Sequence, residues 1–337
     1  MIVLGIDTSC DETAAAVLSD GRSILSNVVA SQLIHSEFGG VVPEYASRAH
    51  IRTVQPVVEE ALSEAGIGYD GLTGIAVTSR PGLVGCLLVG VSFAKALAYS
   101  LDIPVVGVDH IEGHVFAVRL AEPDIPLPTV CLVVSGGHTE LILVEDWGRY
   151  RTLGRTRDDA SGEAFDKVGK LLGLSYPAGP VIERLAAGGN PSAIDFPRAM
   201  MQRGNLDFSF SGVKTAVRYR IDKLEQIPTG DELADFLASF QEAVVDALVT
   251  KAMWAAEAHD VQSVCLGGGV AANGPLRARF ADEAARLGLV AVVPPKNLCT
   301  DNGAVIAAVG DSLLSRGERD DASLTVSASR EAARARR

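Results

Sequence analysis

Residues 2–31, IVLGIDTSCDETAAAVLSDGRSILSNVVAS, read as three strands in succession. IVLGID is apolar, TSCDET is a turn of hydroxyl and acidic residues, and AAAVLS resumes the apolar run before ILSNVVAS follows Gly21. Three short consecutive strands form an antiparallel meander. The same order returns at 129–156, TVCLVVSGGHTELILVEDWGRYRTLGRT, as a strand, a GGH turn, a second strand and a third. The repeat is one of pattern, not of residues.

Helices and further strands succeed each meander. After the first comes an amphipathic stretch at 46–65, which Pro56 is expected to kink or split. Strand 74–79, helix 85–100 and strand 104–110 then make a βαβ unit. After the second come helices at 161–173 and 231–258, strand 263–269, a helix from Asn273, strand 289–295 and a last helix after Asp301. Two copies of one arrangement predict an α/β protein with two duplicated lobes facing across a cleft. The expected division is 1–121 with 301–318, then 122–300, with 319–337 as a flexible, solvated tail.

Composition agrees with that class. The 337 residues are 47% hydrophobic and 21% charged, with 34 glycines for tight turns, and a formal net charge of −12. A chain this acidic is no generic nucleic-acid binder, because neutralising phosphates takes clustered Lys and Arg. Cys10, Cys86, Cys131, Cys265 and Cys299 are scattered without a CxxC pair, which argues against a disulfide framework or a cysteine zinc site and for reduced thiols in cytoplasm. The acidic N-terminus does not read as a signal peptide. No apolar run is expected to span a membrane, since 86–101 is broken by Gly90 and Lys95.

The chemistry-bearing residues gather in turns. Residues 7–13, 135–138 and 267–273 each follow a strand and can present backbone N–H groups to an anion, a combination suited to phosphate and adenosine. Asp166 lies in a helix beside Phe165 and Val168 and can accept hydrogen bonds from a ribose. HIEGH, 110–114, places two imidazoles at i and i+4, on one helix face, able to grip one cation. Ile111 and Gly113 break both known protease orders, HExxH and HxxEH. A third ligand must come from afar, and Asp301, opening the last helix, is the candidate.

Taken in order, GIDTSCDET (5–13), GGVVPEYASRAH (39–50), PGLVG (81–85), HIEGH, VVSGGHTEL (133–141), GEAFDKVGKLLGL (162–174), YPAGP (176–180), FSFSGVKTA (208–216), GGGVAAN (267–273) and CTDNGAVIA (299–307) resemble one family. It is the tRNA threonylcarbamoyladenosine transferase family, the bacterial TsaD proteins and their archaeal and eukaryotic relatives. The resemblance implies an actin-like (ASKHA) fold of two duplicated lobes around a nucleotide cleft. It implies transfer of threonylcarbamoyl from threonylcarbamoyl-AMP to the N6 amine of the tRNA adenosine just 3′ of the anticodon. It implies one metal, Fe2+ or Zn2+, on His110, His114 and Asp301, and adenylate or another adenine nucleotide on Val133, Val134, Ser135, Gly136, Gly137, Asp166, Gly179, Glu183 and Asn273. The implied partners, besides tRNA, are an inactive TsaB-type paralogue, a small TsaE-type ATPase and a separate TsaC-type synthase, with no membrane. Arg80 and Ala178 depart from the family by standing where glycines are usual.

Candidates for the base that takes the amine proton are Asp11 and Glu12, and Cys10 reads as packing rather than a nucleophile. Arg198, Arg203, Lys214, Arg218, Arg220 and Lys223 cluster in 198–223, while Arg48 and Arg52 share a helix turn, as candidate phosphate contacts. A small-molecule kinase of the same fold, or an actin-like ATPase subunit, would need no HIEGH pair.

Overall fold

The structure, a computed structural model, describes residues 1–330, without the Ser36 side chain. In chain order it forms β1 (Ile2–Asp7), β2 (Glu12–Ser19), β3 (Ser23–Ser31), α1 (Pro43–Ala65), β4 (Gly74–Arg80), α2 (Val84–Leu101), β5 (Val105–Asp109) and α3 (His110–Ala121). There follow β6 (Thr129–Val134), β7 (Thr139–Asp146), β8 (Arg149–Arg155), α4 (Ser161–Leu171), α5 (Ala178–Ala186), α6 (Ser211–Ile221) and α7 (Gly230–Ala258). Then come β9 (Ser263–Gly267), α8 (Gly274–Arg286), β10 (Val290–Val292), α9 (Lys296–Cys299) and α10 (Gly303–Ser315). The chain divides into two compact units, Met1–Leu120 with the residues from Asp301 on, and Ala121–Thr300.

Among the described residues each unit holds one five-stranded sheet, in the orders β3-β2-β1-β4-β5 and β10-β9-β6-β7-β8. Read from the meander edge, the two are the same. β1 pairs antiparallel with β2 and parallel with β4, as β6 pairs antiparallel with β7 and parallel with β9. The duplication read from the meanders is therefore one of whole-sheet topology.

In the first unit the strands alternate between two covered faces. Leu4 and Ile6 join Val57, Val58 and Ala61 of α1 and Val91 of α2 in one core. The intervening positions meet α10. A Cβ on Gly5 would overlap backbone at Gly303 and Ala307, one on Gly303 would overlap Ala15 and Ala16, and one on Gly310 would overlap Ala76. These glycines let α10 lie against the strands with almost nothing between.

In the second unit Leu132, Leu141, Phe165, Ile182, Phe240, Val244, Leu266 and Phe280 lead the core. Lys251 is wholly buried there, its Nζ donating to the carbonyls of Met200, Asn205 and Asp207, and burial holds its ammonium below the usual lysine value. One side chain thus fastens the loop before α6 onto α7.

Three expectations need correction. Pro56 does not split α1, which runs unbroken through it. Pro56 lies on the exposed face, so the carbonyl it leaves unbonded meets water, while Val54, Val57, Val58 and Leu62 hold the buried stripe. Next, α2 is long and apolar enough to cross a membrane, with 18 residues at a mean hydropathy of 1.7. The single Lys95 does not lower that mean enough, and Gly90 is no barrier to a helix. Here Cys86, Leu87, Gly90, Val91, Ala94 and Ala98 are buried as α2 packs on α1 and β4.

Residues 319–330, expected in a flexible tail, are tied to the first unit. Asp320 N donates to Val105 O (2.9 Å), Gly107 N donates to the Asp320 carboxylate (2.8 Å), and Ser327 N donates to Ser79 O (3.0 Å). The polar composition that suggested a tail supplies the backbone and carboxylate partners that the edge strand β5 lacks. Residues 331–337 of that expectation lie outside the described residues. The stretch between α4 and α7, for which no element is expected from the sequence, contains α5 and α6.

Gly303→Ala is expected to lower stability by about 1–3 kcal/mol, because the added methyl meets backbone that cannot move aside. Urea unfolding of the variant beside the parent measures it.

Candidate metal centre

The β5–α3 junction builds the first half of the site. Asp109 ends β5, and its Oδ1 accepts from the backbone N–H groups of Ile111 (2.9 Å) and Glu112 (3.3 Å), capping α3. The next residue is His110, and one turn on His114 lies beside it, with ring centroids 4.6 Å apart. Both are buried. The second half comes from α10, whose cap Asn302 accepts from Val305 N (3.2 Å) and so places Asp301 just ahead of the first turn. Asp301 Oδ1 lies 3.5 Å from Nε2 of His110 and 3.5 Å from Nε2 of His114.

One ligand atom from each residue lies within 4.8 Å of the others. A tetrahedral ion with bonds near 2.1 Å needs donors about 3.4 Å apart, which the two nitrogen–oxygen distances match. Three protein donors leave further positions open. The chemistry of the donor set fits zinc or iron, since imidazole suits both.

The sequence reading missed Asp7. Its Oδ2 lies 3.0 Å from His110 Nδ1, its Oδ1 accepts from Ser9 N (2.9 Å), and Ser9 Oγ is 3.3 Å from the same ring nitrogen. A carboxylate at Nδ1 fixes the tautomer that turns a bare Nε2 toward a metal. Only the acid at the end of β1 signalled it, and such acids are ordinary.

Electrostatics favour a cation here. Burial pushes Asp301 up to about 6 despite His110, with Asp7 and Asp11 adding to the shift. Burial alone would lower His110, but Asp301 and Asp7 overrule it and hold the ring at about 10. Glu12 is pushed up to about 9 by burial and then by Asp301 and Asp11. Four carboxylates compete for one proton-like charge. Burial, reinforced by Asp11 and Asp301, raises the Cys10 thiol well above its ordinary value.

The second unit gathers the other expected residues. Val133 and Val134 end β6, buried, while Ser135 closes the turn by donating its N–H to His138 O (2.8 Å) and accepting His138 N at its hydroxyl (3.1 Å). Gly136 and Gly137 have open space where side chains would stand. Gly162, at the start of α4, touches this turn, and Gly268 (φ +88°) abuts Val134. Asp166 Oδ1 accepts from Ala178 N (2.7 Å) at the start of α5, which carries Gly179 and Glu183. Glu183 accepts from Gly274 N (3.1 Å) and from the Asn273 amide (3.3 Å), and that amide also donates to Gln241 (2.9 Å). Glu183, Asn273 and Gln241 thus form one hydrogen-bonded set, Gln241 an unforeseen member, while Asp166 and Gly179 join it only through helix α5. Ala178, the departure from the family, is buried against Gly169, which has no side chain to oppose it.

The basic cluster is less free than its sequence suggests. Arg198 pairs with Asp195 and Asp246, Arg203 with Glu257, Lys214 with Asp159, Arg218 with Asp222, and Arg48 with Glu44.

A sheet-and-helix unit repeated with identical strand order is the architecture of the actin-like (ASKHA) class. The fold is shared with component A of (R)-2-hydroxyglutaryl-CoA dehydratase from Acidaminococcus fermentans, at a TM-score of 0.56 and 16% identity over 94% of this chain and 99% of that one. The family model of TsaD, tRNA N6-adenosine threonylcarbamoyltransferase, matches residues 23–308, and the chain belongs to that family. It is similar to the enzymes of that name from Syntrophotalea carbinolica, 52% identical over 96% of this chain and 95% of the relative, and from Anaeromyxobacter dehalogenans, 56% identical over 94% and 95%.

Asp7→Asn should weaken zinc binding by about tenfold or more, read by competition with a chromophoric chelator, because the amide no longer fixes the His110 tautomer. A second expectation concerns Asp158, which caps α6 by accepting from Phe210 N (2.8 Å), Ser211 N (3.1 Å) and the Ser209 and Ser211 hydroxyls. Burial alone would raise this carboxyl, but those bonds hold it below its ordinary value of 3.8. Asp158→Ala should cost about 1–2 kcal/mol near neutral pH. The cap's contribution is full above 3.8 and is lost as pH falls through the depressed folded value, so thermal melts of parent and variant should converge as the pH is lowered through that value.

Proposed function

We infer that this chain transfers the threonylcarbamoyl group of threonylcarbamoyl-AMP to the exocyclic N6 amine of the adenosine just 3′ of the anticodon, in tRNAs that read codons beginning with A. The carrying observation is the meeting of His110, His114 and Asp301 within 4.8 Å, braced by Asp7. Close relatives named for this transfer support the reading.

An adenine amine is a poor nucleophile because its lone pair is delocalised into the ring. The carbamoyl carbonyl of the donor must be made electrophilic and AMP must leave easily. His110, His114 and Asp301 would hold one divalent ion, iron or zinc, with Asp7 orienting the first imidazole. When bound, such an ion supplies Lewis acidity toward an oxygen of the threonylcarbamoyl group or an anchor for its threonyl part. Gly136 and Gly137 let an anion approach their backbone N–H groups, which would stabilise charge on the departing phosphate. Asp166, Gly179, Glu183 and Asn273 would hold the nucleoside. The transfer is direct: the N6–carbonyl bond forms, the bond from the carbonyl carbon to the phosphate oxygen breaks so that AMP leaves with that oxygen, and the amine gives up its proton. Asp11, in the turn after β1, is the candidate to take it, since burial and Asp301 keep the Glu12 carboxyl protonated near neutral pH.

A chain of net charge −12, with its basic stretch largely ion-paired, grips tRNA weakly by itself. The reading therefore includes accessory subunits in the cytoplasm: a TsaB-type paralogue and a TsaE-type ATPase, with adenylate from a TsaC-type synthase.

The test supplies threonylcarbamoyl-AMP, unmodified tRNA and cell extract lacking the endogenous enzyme, then digests the tRNA and quantifies the modified nucleoside. The full mixture should yield it, and His110→Ala should lower the yield at least a hundredfold. No nucleoside in the full mixture overturns the function. Rapid turnover without extract overturns the dependence on partners.

A further inference from the structure

We propose that residues 319–330 form a strap that positions the metal-bearing helix, with Arg330 as the positioning residue that reaches it through Asp109. The proposal rests on the metal reading of His110, His114 and Asp301. Arg330 Nε donates to Asp109 Oδ2 (2.8 Å), while Oδ1 of the same carboxylate caps α3 through Ile111 and Glu112. One carboxylate is thus shared between the strap and the first turn of the helix that bears both imidazoles.

The strap is a built element. It starts at Asp320, which adds an antiparallel bridge to Val105 on the edge strand β5 and accepts from Gly107 N (2.8 Å). Leu324 packs over Gly107, where a Cβ would collide with it, and its carbonyl accepts from Lys95 Nζ (3.1 Å) on α2. Ser327 N bonds Ser79 O (3.0 Å) at the end of β4. Strands β4 and β5 slip register between Thr78 and Arg80, opposite Asp109, so the sheet alone does not fix the direction in which Asp109 leaves it. Arg330 supplies that restraint.

The charge at this junction makes the restraint matter. Asp109 is 8% exposed, and a carboxylate so buried gains from a charged partner in addition to its two backbone donors. A guanidinium hydrogen bond to it is charge-assisted and directional. Bond lengths at a metal tolerate errors of about 0.2 Å, so a small rotation of α3 shifts both imidazoles off the ion together.

The experiment uses full-length protein as parent, Arg330→Ala and Arg330→Lys, titrated with Co2+ and followed by the visible bands of the bound ion, alongside thermal melts without metal. Arg330→Ala should bind cobalt about tenfold more weakly than the parent, as loss of an outer partner of a metal ligand does. Its metal-free melting temperature should fall by about 2–4 °C, because the buried Asp109 carboxylate loses its charged partner. Arg330→Lys should recover most of the affinity, since an ammonium can still bond Oδ2. A parent that binds cobalt, with Arg330→Ala binding it equally well, overturns the strap and leaves the metal reading standing, whatever the melts show. A parent that takes up no cobalt sinks both.

Discussion

A helix pressed onto a sheet without side chains between them is the constraint on which the rest depends. Gly5, Gly303 and Gly310 offer no Cβ where α10 meets β1, β2 and β4, and the neighbouring Ala76 and Ala307 offer only a methyl. That contact fixes the start of α10, and the start of α10 carries Asp301. Shift it outward by the thickness of a methyl group and the carboxylate leaves the two imidazoles. The site is therefore as much a product of backbone packing as of its ligands, because interiors this dense transmit displacement rather than absorb it.

The two units put one topology to different chemical uses. In the first, the strand-end turn supplies acids, and Asp7 braces an imidazole whose partner ligand lies almost two hundred residues away in sequence. In the second, the equivalent turn supplies glycines with open space above them, while Asp166 ties the start of α5 to α4 and Glu183, further along α5, bonds the start of α8. Metal chemistry needs buried, preoriented donors, whereas a phosphate needs backbone that can be approached. In the proposed reaction the first turn would serve the metal and the second the phosphate.

Polar and charged side chains organise the loops around both sites. Lys251 nails the segment before α6 to α7, and Asp158 and Asp159 anchor α6 through its cap and through Lys214. The basic stretch 198–223, which in sequence suggests a phosphate surface, spends much of its charge on neighbouring carboxylates. Exposed pairs of this kind add little stability, but they do remove charge that tRNA would otherwise meet.

The sequence by itself determined the meanders, the βαβ units and the spacing of His110 and His114, because periodicity and turn residues act over a few positions. It pointed to Asp301 only through a motif and a helix start. What tertiary structure decided were contacts between residues far apart in the chain. These are Asp7 on His110, Gln241 on Asn273, Lys251 on the loop before α6, the unbroken passage of α1 through Pro56, and the return of 319–330 to β5. Local pattern tells a segment which shape to take. Which buried polar atom it must satisfy is known only once the chain has closed on itself.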